Sequence, residues 1–138
     1  MKNRKPIHDD WKTPHYILEG HVFPRFKGYD YIDPCPLRSD FDGLLIDWGK
    51  RAFVNPPYNR VDKEAFIRKA FAESKKGCHV VMLLPVSTST KIFHEIIYPN
   101  AKIEFLKGRV KFIGINTAGE EVNNKCGMHG SMIVEFKT

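Results

Sequence analysis

The sequence predicts an α/β domain with a mostly parallel sheet, antiparallel strands toward its C-terminal end, and helices on both faces. Three observations carry this. Helix-like and strand-like patterns alternate between residues 29 and 98, the order that builds right-handed parallel units. The run Cys78 to Leu84 is almost wholly apolar, as in a strand covered on both faces. Beyond residue 100 the apolar period becomes two: Ile103 and Phe105, Val110 and Phe112, then Met132, Val134 and Phe136.

A chain of 138 residues suits one domain. Hydrophobic residues make up 42% and aromatics 12%, too apolar for disorder. Lysine and arginine number 22 against 16 acids, giving +6 and a pI near 9.3. That balance favours a polyanionic partner. No apolar stretch approaches the roughly 20 residues of a membrane span, and Met1 to Asp10 has no signal-like apolar core. A soluble, cytoplasmic protein with no membrane contact is expected. Cys35, Cys78 and Cys126 lack CxxC or zinc spacing, so free thiols and no metal site are expected.

Residues 1–10 are polar and read as a loose arm. Thr13 suits an N-cap and Pro14 a first helical position, with Gly20 stopping the helix. Tyr29 to Asp33 reads as a strand that Pro34 and Pro36 cut short. A short central strand should run from about Arg51 to Val54. Asp62 can cap the next helix, whose stripe is Phe66, Ile67, Ala70 and Phe71, with Gly77 ending it. Pro85 closes the apolar strand. Ser87 to Thr90 offers caps for a helix carrying Ile92, Phe93, Ile96 and Ile97, which Pro99 should stop. Two or three terminal strands follow, with 114–130 read as a mobile loop because it is rich in Gly and Asn and has no apolar pattern.

Three strands therefore end in chemically loaded tips: Asp33-Pro34-Cys35, Asn55-Pro56-Pro57-Tyr58, and Pro85-Val86-Ser87. Ligands in parallel sheets bind beyond such carboxyl ends. Asn55 precedes a proline and is held extended at its strand tip. Its side-chain carbonyl and the Pro56 backbone carbonyl can accept both protons of an aromatic amine, while Tyr58 stacks on the ring. Asp33 suits a ligand hydroxyl or cation, or else simply forms an Asx turn. No Gly-x-Gly-x-x-Gly follows it, so a cofactor without phosphates fits better. His15, His21, His94 and His129 show no ligand spacing, and Ser87 to Thr90 has no His/Asp partners for nucleophilic work.

These residues carry a resemblance. Asp10-Trp11-Lys12-Thr13-Pro14, Ile32-Asp33-Pro34-Cys35, Asp42-Gly43-Leu44 with Trp48, Asn55-Pro56-Pro57-Tyr58, Val81-Met82-Leu83-Leu84-Pro85, and Lys107-Gly108-Arg109-Val110-Lys111-Phe112 resemble the phage-type DNA adenine methyltransferases of the Dam family. The resemblance covers nearly the whole chain, and Asn-Pro-Pro-Tyr is its specific motif. It implies a compact Rossmann-like methyltransferase sheet, S-adenosylmethionine as cofactor, DNA as partner and no metal. It implies catalytic roles for Asn55, Pro56, Pro57 and Tyr58. It implies cofactor contacts from Trp11, Thr13, Pro14, Asp33, Pro34, Cys35, Asp42 and Asn55.

The chain departs from the general methyltransferase pattern in having Asp33-Pro34-Cys35-Pro36 where a glycine-rich turn is usual. Only 21 residues separate Asp33 from Asn55, little room for the usual second and third strand–helix units. With no separate target-recognition domain, DNA would be read by loops, by the N-terminal arm or with a second subunit. Candidate phosphate contacts are Arg60, Lys63, Lys107, Arg109, Lys111 and Lys125. The same tip chemistry would serve cytosine N4, RNA adenine or a protein glutamine amide. A non-catalytic nucleic-acid-binding module is the reading without chemistry, and the intact motif argues against it.

Overall fold

The computed structural model of the chain describes residues 12–36, 40–115, 121–126 and 130–138, with 113–115 and 121–126 described as backbone. The expected arm and Trp11 lie outside these residues. The strands are β1 (Arg51–Val54), β2 (His79–Pro85), β3 (Lys102–Phe105), β4 (Lys111–Ile115), β5 (Glu121–Cys126) and β6 (Ser131–Phe136). Four of them form a sheet in the order β1-β2-β6-β3, and β4 and β5 form a separate two-stranded ribbon. Helix α1 comprises His15–Ile17, Leu18–Val22 and Phe23–Phe26; α2 is Arg60–Lys75; α3 is Phe93–Ile97 continued by Tyr98–Asn100. No described helix is long and apolar enough to cross a membrane.

The sheet is mixed, which corrects the expected mostly parallel arrangement. β1 and β2 pair in parallel, but β6 pairs antiparallel with both β2 and β3. The chain sets β3 one place away from β2 and then returns β6 into the slot between them. β3 itself runs with β1 and β2, since two antiparallel steps restore the direction. The strand expected at Tyr29–Asp33 is reduced to one parallel bridge between Ile32 and Ala52. There the Ile32 N–H donates to the Arg51 carbonyl at 3.0 Å, and the Phe53 N–H donates to the Ile32 carbonyl at 2.9 Å. Pro34 and Pro36 have no N–H with which to extend it.

Alternation along the strands divides the core into two layers. Ala52, Val54, Val80, Met82, Leu84, Met132, Val134 and Phe136 face α2 and α3, which contribute Phe66, Ile67, Ala70, Phe93 and Ile97, with Ile92 just ahead of α3. Phe53, Val81, Leu83 and Ile133 face the other way, against Ile17, Val22 and Phe26 of α1. Helices thus cover both faces, and Val80 to Leu84 are buried throughout.

Helix limits differ from expectation at three places. Gly20 does not stop α1, and Pro99 does not stop α3. Each of these helices has a wide π turn just ahead of an X-Pro pair. The Phe23 N–H donates to the Leu18 carbonyl before Pro24, and the Tyr98 N–H donates to the Phe93 carbonyl before Pro99. Widening the turn shifts the ladder by one residue and makes room for a ring without an N–H. The third is α2, which starts before Asp62 because Asn59 caps it, its side chain accepting from the Asp62 N–H at 2.9 Å. The segment expected as a loop, 114–130, contains β5, whose backbone pairs Lys111 with Cys126 and Gly114 with Val122. A polar strand of this kind leaves no apolar signature.

The approach to β1 is anchored by Trp48, which is fully buried. Its Nε1–H donates to the Gly43 carbonyl at 2.8 Å, and its backbone N–H donates to Glu73 at 2.9 Å. Glu73, only 2% exposed, also meets Lys69 at 3.1 Å and Lys76 at 2.8 Å. Gly43 crosses beside Pro34 so closely that a Cβ there would stand 1.7 Å from the Pro34 carbonyl oxygen. Glycine is the one residue that fits such an approach.

Candidate active site

β1 runs out at Val54, and the next four residues are Asn55-Pro56-Pro57-Tyr58. The two prolines are buried; Asn55 and Tyr58 are half-buried. The turn is held at both ends, by the sheet on one side and by the Asn59 cap of α2 on the other. Thr13 does not cap α1, as its sequence suggested. Pro14 occupies the cap position with no side-chain bond, and its carbonyl accepts from Ile17 and Leu18. The Thr13 hydroxyl instead accepts a hydrogen bond from Nδ2 of Asn55 at 3.0 Å. In this arrangement the amide nitrogen faces Thr13. The amide oxygen, Oδ1, is buried and receives no hydrogen bond among the described residues. An acceptor fixed in this way beside the Pro56 carbonyl can take the protons of an amino group.

Tyr58 packs edge-on against Phe112 of β4, with ring centroids 5.5 Å apart and planes at 90°. Burial raises its pKa above the ordinary 10.0, so the phenol stays neutral. In the sequence Phe112 stood out by strand-like alternation and as the end of a segment carrying the resemblance, and nothing there pointed to Tyr58.

The acid-bearing turns come to the same edge. Ile32 runs parallel to β1, so Asp33 leaves the sheet at the end where Asn55 does. Oδ1 of Asp33 accepts from the Cys35 N–H at 2.9 Å, the Asx turn that its sequence allowed. Asp42 likewise accepts from the Leu44 N–H at 3.0 Å. The Pro34–Gly43 crossing brings these two turns together. Cys35 is buried in the core layer that also holds Trp48, so its thiol serves packing. Thr13, Pro14, Asp33, Pro34, Asp42 and Asn55 thus group at the sheet edge, and Trp11 lies outside the described residues.

The six predicted phosphate contacts do not form one patch. Arg60 is exposed and pairs with Glu64 at 3.3 Å. Lys63 is half-buried and lines a cavity of about 220 Å³ with Leu84, Pro85 and Met132, and burial lowers its pKa. Both lie on the α2 face. Lys107 and Arg109 line a different groove, beside α1. Lys111 is exposed, and of Lys125 only the backbone, opposite Phe112, is described.

The molecule is therefore a mixed α/β protein with an Asn-Pro-Pro-Tyr turn and two acid-bearing turns at the carboxyl end of its parallel strands. Over residues 1–138 the chain matches the family model for DNA N-6-adenine-methyltransferase (Dam), and it belongs to that family. Neither a curated protein nor a solved structure matched it.

Proposed function

We propose that this protein transfers a methyl group from S-adenosylmethionine to the N6 amine of adenine in DNA. One observation carries the reading: in a chain of the Dam family, Asn55 stands at the tip of β1 with its amide tied to Thr13. Oδ1 of Asn55 and the Pro56 carbonyl accept the two amine protons. This draws the amine toward tetrahedral geometry and frees its lone pair, which is catalysis by position and electrostatics. The displaced proton leaves to water, so no base of high pKa is required. The neutral Tyr58 offers its ring to the base, which must be flipped out of a duplex to reach the site.

The donor set fits the cofactor. Thr13, Asp33 and Asp42 offer a hydroxyl and carboxylates, suited to ribose hydroxyls and an ammonium group, and no phosphate-cradling glycine turn is present. Bound there, S-adenosylmethionine would supply an electrophilic methyl carbon on a positively charged sulfur. The four strands, extended by the Ile32 bridge, support a shortened Rossmann-like arrangement.

Incubation of the protein with cofactor carrying a tritiated methyl group, and duplex DNA, tests the reading. The expected product is labelled N6-methyladenine after digestion. Label found only in cytosine, RNA or protein, or in no acceptor at all, overturns it.

A further inference from the structure

We propose that the groove between α1 and the end of β3 binds the DNA strand beside the flipped base, stacking unpaired bases on Tyr16 and Phe105. The proposal rests on DNA being the substrate and adds a binding surface distinct from the Asn55 turn.

The groove, of about 360 Å³, is lined by Tyr16 and Ile17 of α1, by Phe105 at the end of β3, and by Lys107 and Arg109 in the following loop. Two features set it apart from an ordinary surface depression. Its aromatic rings are turned outward: Tyr16 is 55% exposed and Phe105 58%. Its charge is positive where it opens, since Lys107, Arg109 and the neighbouring Lys111 are all exposed. The acid in its wall, Glu104, is already engaged, by Arg25 at 2.7 Å and His21 at 3.3 Å. The hydrogen bond from Arg25, aided by the His21 contact, holds that carboxyl below its ordinary range. Outward aromatics interleaved with cations are what single-stranded nucleic acid needs, with bases stacking and phosphates finding charge.

A chain of contacts also links the groove to the proposed target site. Tyr58 touches Phe112. The backbone N–H of the adjacent Lys111 donates to the Tyr16 hydroxyl at 3.3 Å, fixing the Tyr16 ring at the groove wall. Tyr16 lies three positions beyond Thr13, which holds Asn55. These contacts put Tyr16 on the same helix start that holds Asn55, the side from which a strand held at Asn55 would continue to the groove. β3 is an edge strand, and Phe105 belongs to neither core layer, so it can be changed without opening the core.

The test is fluorescence anisotropy with a labelled single-stranded oligonucleotide and with the matching duplex, without cofactor, at several salt concentrations. Phe105→Ala should weaken single-strand binding about ten-fold, within the range for losing one stacked base. Phe105→Trp should restore it, and circular dichroism should show both variants folded. Lys107→Ala with Arg109→Ala should lower the slope of log affinity against log salt by about 1.4. Phe105→Ala and Tyr16→Ala both binding like wild type would overturn the proposal, even if the protein methylates DNA. Aromatic-dependent single-strand binding by a protein that labels no adenine would uphold the groove and remove the methylation reading. Absence of DNA binding by the wild type would remove both.

Discussion

Nδ2 of Asn55 donates to Oγ1 of Thr13 at 3.0 Å, a bond that spans 42 positions of sequence. It ties the tip of β1 to the start of α1 and so sets the angle at which the amide oxygen is presented. Thr13→Val, which keeps the shape and removes the acceptor, should lower the transfer rate about ten-fold, the effect of one lost hydrogen bond. Thr13→Ser should keep most of it. Asn55→Ala should lose roughly a hundred-fold or more, as when a donor or acceptor aimed at the reacting group is removed. Labelled-methyl kinetics measure all three. A Thr13→Val rate equal to wild type would show the bond to be incidental.

The Tyr58 ring, not its hydroxyl, is the part expected to matter. Tyr58→Phe should transfer at close to the wild-type rate, while Tyr58→Ala should lose roughly five- to a hundred-fold. Because burial raises the phenol pKa above 10.0, the group remains protonated through neutral pH. The rate–pH profile should therefore be the same for Tyr58→Phe and wild type between about pH 6 and 9. A basic limb that vanishes in the phenylalanine variant would contradict this.

Gly43→Ala should be strongly destabilising. The new methyl would stand 1.7 Å from the Pro34 carbonyl oxygen, and backbone must move to relieve it. The loss should reach about 3 kcal/mol, the upper part of the overpacking range. Urea denaturation reads it directly, and a loss below about 1 kcal/mol would mean that the two turns separate easily.

Glu73 should make stability depend on acid pH. Burial alone would raise its pKa, but hydrogen bonds from Lys76, the Trp48 N–H and Lys69 outweigh this and lower it from 4.5 to about 2. The folded form thus holds the proton less tightly than the unfolded chain. The stability so gained is fully present above about pH 4.5 and is lost as pH falls toward 2. Glu73→Gln should be less stable than wild type at pH 7, and the two should converge in acid. Parallel stability curves across that window would exclude this role.

The elements were largely legible because they follow from short-range patterns. The apolar run before Pro85, the stripe of Phe66, Ile67 and Ala70, and the Asn55 turn after β1 all stand where residue chemistry put them. What the pattern missed depends on partners distant in sequence. Thr13 looks like a helix cap until Asn55 competes for its hydroxyl. Gly20 and Pro99 look like helix stops until a π turn absorbs them. The polar β5 has no periodicity, because its pairing with β4 is between backbones. The antiparallel run of β6 was expected; that it enters between β2 and β3, leaving one parallel pair in the sheet, was not legible, because an alternating pattern does not say which strands it will pair with. The candidate site residues come from chemistry and motif, whereas Phe112, Tyr16 and Phe105 enter only through packing.

The placement of β6 bears on how the protein is made. Residues 131–136 are the last strand in sequence, yet they lie between β2 and β3. Until these residues have emerged, the nascent chain holds β2 and β3 with no strand to join them, and β2 is apolar. Synthesis therefore passes through a stage in which the β1–β2 pair behind the Asn55 turn has no further strand beside it. During that stage the emerging chain is exposed to aggregation and to capture by chaperones that recognise unpaired strands.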